Sequence, residues 1–174
     1  MEFIIETIYD QESITAMAKA MRKTVRKRRN KRTRIAGWII IILALLLTIP
    51  SKDETFAIEA NMIVTWLAVL MMGIVLLFED NINAYIAKKR MVKGTEKAIT
   101  EFKDESYIST TDMGKTEWYY SNIIQIAETK EYFIFIFDNS HAQIYDKNKF
   151  TKGTVEEFRT FICEKTGKEI QNIN

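Results

Sequence analysis

Two apolar runs constrain this chain more than any other feature: residues 35–50 (IAGWIIIILALLLTIP) and 62–78 (MIVTWLAVLMMGIVLLF), neither of which contains a charged residue. As helices each covers roughly 24–26 Å, slightly less than the ~30 Å of a bilayer's hydrocarbon core, so flanking residues must complete a crossing. Arg32 and Arg34 are placed to do so by snorkelling. A pair of buried core helices would have the same length, but Ile/Leu density, missing polar punctuation and the flanking charges favour a transmembrane hairpin. The expected organisation is an N-terminal strand and basic amphipathic helix (1–34), the hairpin (35–78), a basic juxtamembrane helix (79–93) and a small domain (94–174).

Charge sets the orientation. The overall +2 hides a split: residues 1–34 hold ten Lys/Arg against four Asp/Glu, whereas 94–174 hold ten against fourteen. Nine bases cluster just before the first run (Arg22, Lys23, Arg26, Lys27, Arg28, Arg29, Lys31, Arg32, Arg34) and four follow the second (Lys88, Lys89, Arg90, Lys93). The linker 51–61 has Lys52 against Asp53, Glu54 and Glu59. The positive-inside rule then predicts a multi-pass cell-membrane protein with both termini cytoplasmic and the linker outside. The thirteen flanking bases are the candidate anionic-lipid contacts, each contributing ~1 kcal/mol at an anionic surface. The acidic tail is repelled by the same surface, which points its binding face toward a protein partner. The run RKRRNKR also has the composition of a nucleic-acid site, but membrane topology already accounts for it, and no nucleic-acid partner is expected. The start, MEFIIETIYD, is too acidic for a signal peptide, which leaves the first apolar run as the insertion signal.

Read in order, residues 2–9 have strand composition and Asp10 is an N-cap. Ile14, Met17, Ala18, Met21 and Val25 form one helical stripe. With no Gly or Pro before Gly37, this helix is expected to run unbroken through the basic neck into the first span. Pro50 ends that span, and Gly94 stops the helix after the second. Strands are predicted at 97–103, 106–111, 117–120, 123–129, 132–137 and 142–145, separated by turn residues. YFIFIF (132–137) presents bulky side chains to both faces and reads as a central strand. Thr154 and Glu157 form a capping box for a helix with Val155, Phe158, Phe161 and Ile162 on one face and Gly167 as its C-cap. The fold class is α+β: a two-helix transmembrane hairpin plus a small antiparallel β domain closed by a C-terminal helix. Strand 2–9 is expected to pair with the tail sheet, so that the hairpin is an insertion into one domain.

Catalytic chemistry finds little support. One cysteine, Cys163, and one histidine, His141, provide neither a disulfide framework nor a metal cluster. The spans have no ionisable relay, the linker carboxylates read as an acidic outer flank, and no nucleophile–base pair or phosphate loop is present. The reading is non-enzymatic, with no catalytic residues, no metal and no cofactor. Gly37, Ala44, Ala68 and Gly73 do not make a GxxxG motif and favour contact between the two spans over a dimer seam.

The segment from ITEFKDESYISTT to IYDKNKF, with its turn at Gly114, the entry Tyr119–Tyr120–Ser121–Asn122–Ile123, the hairpin ETKEYF (128–133) and Phe150 before the last helix, resembles the bacterial YcxB-like membrane proteins. That resemblance implies a pleckstrin-homology-like cytoplasmic domain on a two-span anchor, with no established catalytic residues. The function expected from it is a membrane-anchored binding module recognising a protein partner or the inner membrane surface. The alternatives are a bacteriocin or toxin self-immunity protein and, more weakly, a small transport-associated subunit.

Overall fold

The computed structural model describes residues 2–49 and 60–173. The expectations for Pro50 and for the linker up to residue 59 lie outside the described residues. Strand β1 (Phe3–Ile8) alternates inward Phe3, Ile5 and Thr7 with outward neighbours, as a half-buried strand must. It pairs antiparallel with β2 (Lys97–Phe102), Phe3 opposite Phe102 and Ile8 opposite Lys97. Its other edge pairs with β8 (Phe150–Lys152). The N-terminal strand thus belongs to the tail's sheet. With β3 (Ser106–Thr111) and β4 (Gly114–Tyr119) the sheet order is β4-β3-β2-β1-β8.

A second sheet, ordered β7-β6-β5-β9, is built from β5 (Gln125–Glu128), β6 (Tyr132–Ile136), β7 (Ala142–Asp146) and β9 (Ile170–Asn172). The sequence suggested one antiparallel sheet; there are two, and β9 runs parallel to β5. Helix α5 (Val155–Thr166) starts at the expected capping box and ends at Gly167, whose φ of 64° is the left-handed conformation glycine adopts without penalty. It drives Phe158 between the sheets, with ring centroids 4.8 Å from Phe102, 5.3 Å from Phe3 and Phe150, and 5.4 Å from Phe133. Strand β6 is covered on both sides. Phe133 and Phe135 enter this aromatic core, while Ile134 and Ile136 join Ala20, Ala127, Ile144 and Ile173 in a second cluster. That second cluster is closed by α1 (Gln11–Lys23), whose first turn is capped by Asp10 accepting from the Ser13 N–H at 2.8 Å.

The helix does not run unbroken into the neck. It ends at Lys23, and α2 (Lys27–Leu46) begins after three turn residues. Thr24 leaves helical geometry (φ −108°, ψ −104°); its Oγ1 donates to the Ala20 carbonyl at 2.7 Å, and the Arg26 N–H reaches back five residues to Met21 O. A back-bonding, β-branched Thr followed by Val breaks the helix without Gly or Pro. Helices α3 (Ala60–Leu77) and α4 (Glu79–Lys89) are separated only by Phe78. Gly94 lies beyond the helix end rather than at it, turning the chain (φ 88°) into β2. Strand β4 starts three residues earlier than predicted, and β5 two later because Tyr120–Asn122 form a 3-10 turn.

Helices α2 and α3 lie antiparallel, Gly37 against Leu76, so close that a Cβ on residue 37 would lie 2.9 Å from a Leu76 methyl. Farther along, the Trp66 indole donates to Thr48 Oγ1 at 3.4 Å. One described helix, Ala60–Leu77, is long and apolar enough by itself to cross a membrane. In α2 the first eight residues are the basic neck and only the remaining twelve are apolar.

Candidate functional site

The neck supplies the positions singled out by the sequence, and the break at Thr24 decides how they are distributed. Before and within the break, three bases turn toward protein. Arg22 grips Asp80 with Nε and Nη2 at 2.7–3.0 Å, clasping α1 to α4, and these hydrogen bonds raise its pKa against the opposing effect of burial. Lys23 Nζ donates to the Ile173 carbonyl at 3.2 Å, and Arg26 Nε to the Asn139 carbonyl at 2.6 Å. Arg22, Lys23 and Arg26, expected as lipid contacts, here bond to the domain, because the chain folds back over the second sheet where the break occurs.

Beyond the break, Lys27, Arg28, Arg29, Lys31 and Arg32 are exposed and Arg34 is half-buried. Along α2, Lys27, Asn30, Lys31, Arg34, Ile35 and Trp38 fall at three- and four-residue spacing on one face. That face lines a groove of about 540 Å³ whose other wall is Gln171, Asn172 and Ile173 of the chain end, with Lys23 between them. Asn30 Nδ2 donates to Glu79 Oε2 at 2.9 Å, which fixes α2 to the start of α4. The other basic cluster, Lys88, Lys89, Arg90 and Lys93, is exposed but lies at the far end of α4, ~12 Å along the axis from Asp80. The structure therefore brings together Lys23, Lys27, Lys31 and Arg34, and leaves the second cluster apart.

A second cleft of about 540 Å³ opens between α1, α4 and the β3–β4 hairpin. Its walls include Met17, Met91, Met113 and Trp118, and Tyr9 and Gln143 are the polar groups on the side of the second sheet. Gln143 Oε1 accepts from both Tyr107 (2.9 Å) and Tyr145 (2.6 Å) hydroxyls. Burial pushes the Tyr9 phenol up to about 12 and raises those of Tyr107 and Tyr145 well above the ordinary phenol value, so all three remain neutral. Elsewhere in the domain Glu128 receives Arg159 at 2.7 Å and Lys147 at 2.5 Å. Burial works against its charge, yet the hydrogen bonds from these two cations outweigh it and hold the carboxyl below the usual range. Burial raises the Cys163 thiol, which is thereby a poor nucleophile at neutral pH. His141 sits on an exposed turn with Nδ1 2.7 Å from Asp138 Oδ2. Among the described residues no group of three or more His, Cys, Asp or Glu is arranged to hold a metal.

Sequence reasoning missed the Arg22–Asp80 clasp, the tyrosine–glutamine cluster and the groove's second wall. Each depends on a contact between residues more than thirty positions apart, Tyr107 with Gln143 in the case of the cluster, and no local pattern announces such a contact.

Residues 102–162 match the YcxB-like protein family. The YcxB-like segment begins at the last residue of β2 and ends inside α5, so it takes in β3 to β8 and the Phe158 anchor. This agrees with the resemblance drawn from the strand and turn residues. It does not reach the neck or the apolar helices. No curated protein and no solved structure matches the chain.

Proposed function

We propose that the chain is a two-span membrane protein with both termini cytoplasmic, whose two sheets and capping helix form a pleckstrin-homology-like domain acting by binding rather than by catalysis. One observation carries this reading: α2 and α3 meet each other through Gly37, Ile41 and Leu76 and turn most of their other apolar side chains outward. Ile39, Ile42, Leu43 and Leu46 on α2, and Val64, Leu67, Leu70 and Met71 on α3, are each half exposed or more. At about 25 cal/mol per Å², such a surface is costly in water and costs nothing in hydrocarbon. The short apolar part of α2 is completed by Arg32 and Arg34 snorkelling at one end and by residues 47–49 at the other. The basic flanks set the orientation. The four-strand meander β1–β4, the β5–β7 meander and a C-terminal helix between them follow the order of a pleckstrin-homology domain. The Met-lined cleft at α1, α4 and β3–β4 offers an adaptable surface for a protein partner.

The test places a fluorophore at Met113→Cys in a Cys163→Ala background of the full chain, reconstituted in nanodiscs carrying headgroup quenchers. The reading expects little quenching, unchanged when anionic lipid replaces zwitterionic lipid. Strong quenching that depends on anionic lipid and disappears at high salt would mean that the domain lies on the bilayer, and would transfer its role to lipid recognition.

A further inference from the structure

We infer that the groove between α2 and β9 binds the phosphate headgroup of an anionic glycerophospholipid from the cytoplasmic leaflet, an assignment that rests on the membrane-anchored reading above. Only part of the basic neck takes part. Of the nine bases from Arg22 to Arg34, Lys27, Lys31 and Arg34 share the groove face of α2, and none of these three has a carboxylate partner among the described residues. The nearby acids are already engaged: Asp80 by Arg22, and Glu79 by Asn30. Three uncompensated cations on one helical stripe repel one another, and an anion between them relieves that repulsion.

The second wall makes this a pocket rather than a charged face. Lys23 is held in place by the Ile173 carbonyl, while Gln171 and Asn172, both exposed, line the wall opposite the cations, and Gln171 Oε1 accepts from Gln125 Nε2. Phosphate esters are met by such a mixture of ammonium, guanidinium and amide donors. The groove also has a direction. Its far end is Ile35 and Trp38, and the same helix continues into Ile39 and Ile42, which are exposed. Trp at the mouth of an apolar surface marks the interfacial depth at which glycerol joins acyl chains. A bound phosphate is therefore continuous with a surface suited to its own acyl chains, which selects a lipid over a free phosphate. A choline headgroup would put a further cation among those that line the groove, which selects an anionic lipid over a zwitterionic one.

The test uses the full chain in phosphatidylcholine nanodiscs doped with phosphatidylglycerol, with lipid retention read by native mass spectrometry. Lys31→Gln/Arg34→Gln should lower retained phosphatidylglycerol about tenfold relative to phosphatidylcholine, whereas Arg28→Gln/Arg29→Gln, with the same charge change off the groove face, should stay within about twofold of wild type. Equal weakening by the two pairs would mean diffuse attraction, and no weakening by either would mean no site; both overturn the inference and leave the anchor standing. Displacement of the lipid by millimolar glycerol 3-phosphate would overturn the lipid assignment in favour of a soluble phosphate ester. A wild-type chain released from membranes by alkaline carbonate would overturn the anchor and the groove assignment together.

Discussion

Replacing Glu128 with Gln tests the energetics of the domain. The carboxylate side chain is 8% exposed and bridges Lys147, itself 12% exposed, and Arg159, 40% exposed. Removing one partner of a buried ion pair commonly costs 3–5 kcal/mol, because the other charge is left uncompensated. Here two features reduce that figure: Lys147 also donates to the Thr129 carbonyl at 2.6 Å, and Arg159 can reach water. The expected loss is therefore about 3 kcal/mol, at the low end of that range. Urea unfolding of the detergent-solubilised chain, followed by near-ultraviolet circular dichroism, measures it. The pH dependence supplies a second signature. Because the folded carboxyl is held below its unfolded value of 4.5, its contribution is complete above that value and is lost as pH falls through the folded pKa. Wild type should lose stability in that acid range, and Glu128→Gln should lack that component. A variant within 0.5 kcal/mol of wild type, or one with an unchanged acid profile, would refute the assignment of this cluster as a stabilising ion triad.

Three further outcomes follow from the geometry. Phe158→Ala should cost about 3–5 kcal/mol in the same assay, since its ring meets Phe3, Phe102, Phe133 and Phe150 and the sheets cannot close over the void. Gly153→Ala combines a φ of 84° with a Cβ 2.2 Å from the Phe3 ring, so a loss of about 2–4 kcal/mol is expected, seen as a lowered unfolding midpoint. In membranes, cysteines at 37 and 76 in a Cys163→Ala background should cross-link on oxidation while a 37/66 pair should not, which checks the antiparallel register of α2 and α3.

Local signals were legible wherever one residue type answers one backbone requirement. The capping box at Thr154 and Glu157, the αL glycine at 167, strand Ser106–Thr111 and the doubly covered β6 all follow from patterns a few residues long. Illegible parts depend on partners distant in the chain. Nothing in Ile170–Asn172 signals a strand until β5 offers it a parallel edge, and that edge is also what builds the groove's second wall. The break at Thr24 has neither Gly nor Pro to signal it and rests on a hydroxyl bonding back to Ala20. It is the break that separates Arg22, Lys23 and Arg26, which bond to the domain, from the groove cations Lys27, Lys31 and Arg34 and from exposed Arg28, Arg29 and Arg32.

Topology bears most directly on the account. In a Cys163→Ala background, single cysteines at Thr55 and Ser140 are probed with a membrane-impermeant maleimide. Ser140 lies on the exposed turn beside Arg26, and Thr55 lies between the two apolar runs. Labelling is expected at 55 in intact cells and at 140 only after permeabilisation. Labelling at 140 in intact cells would contradict a cytoplasmic domain on a two-span anchor.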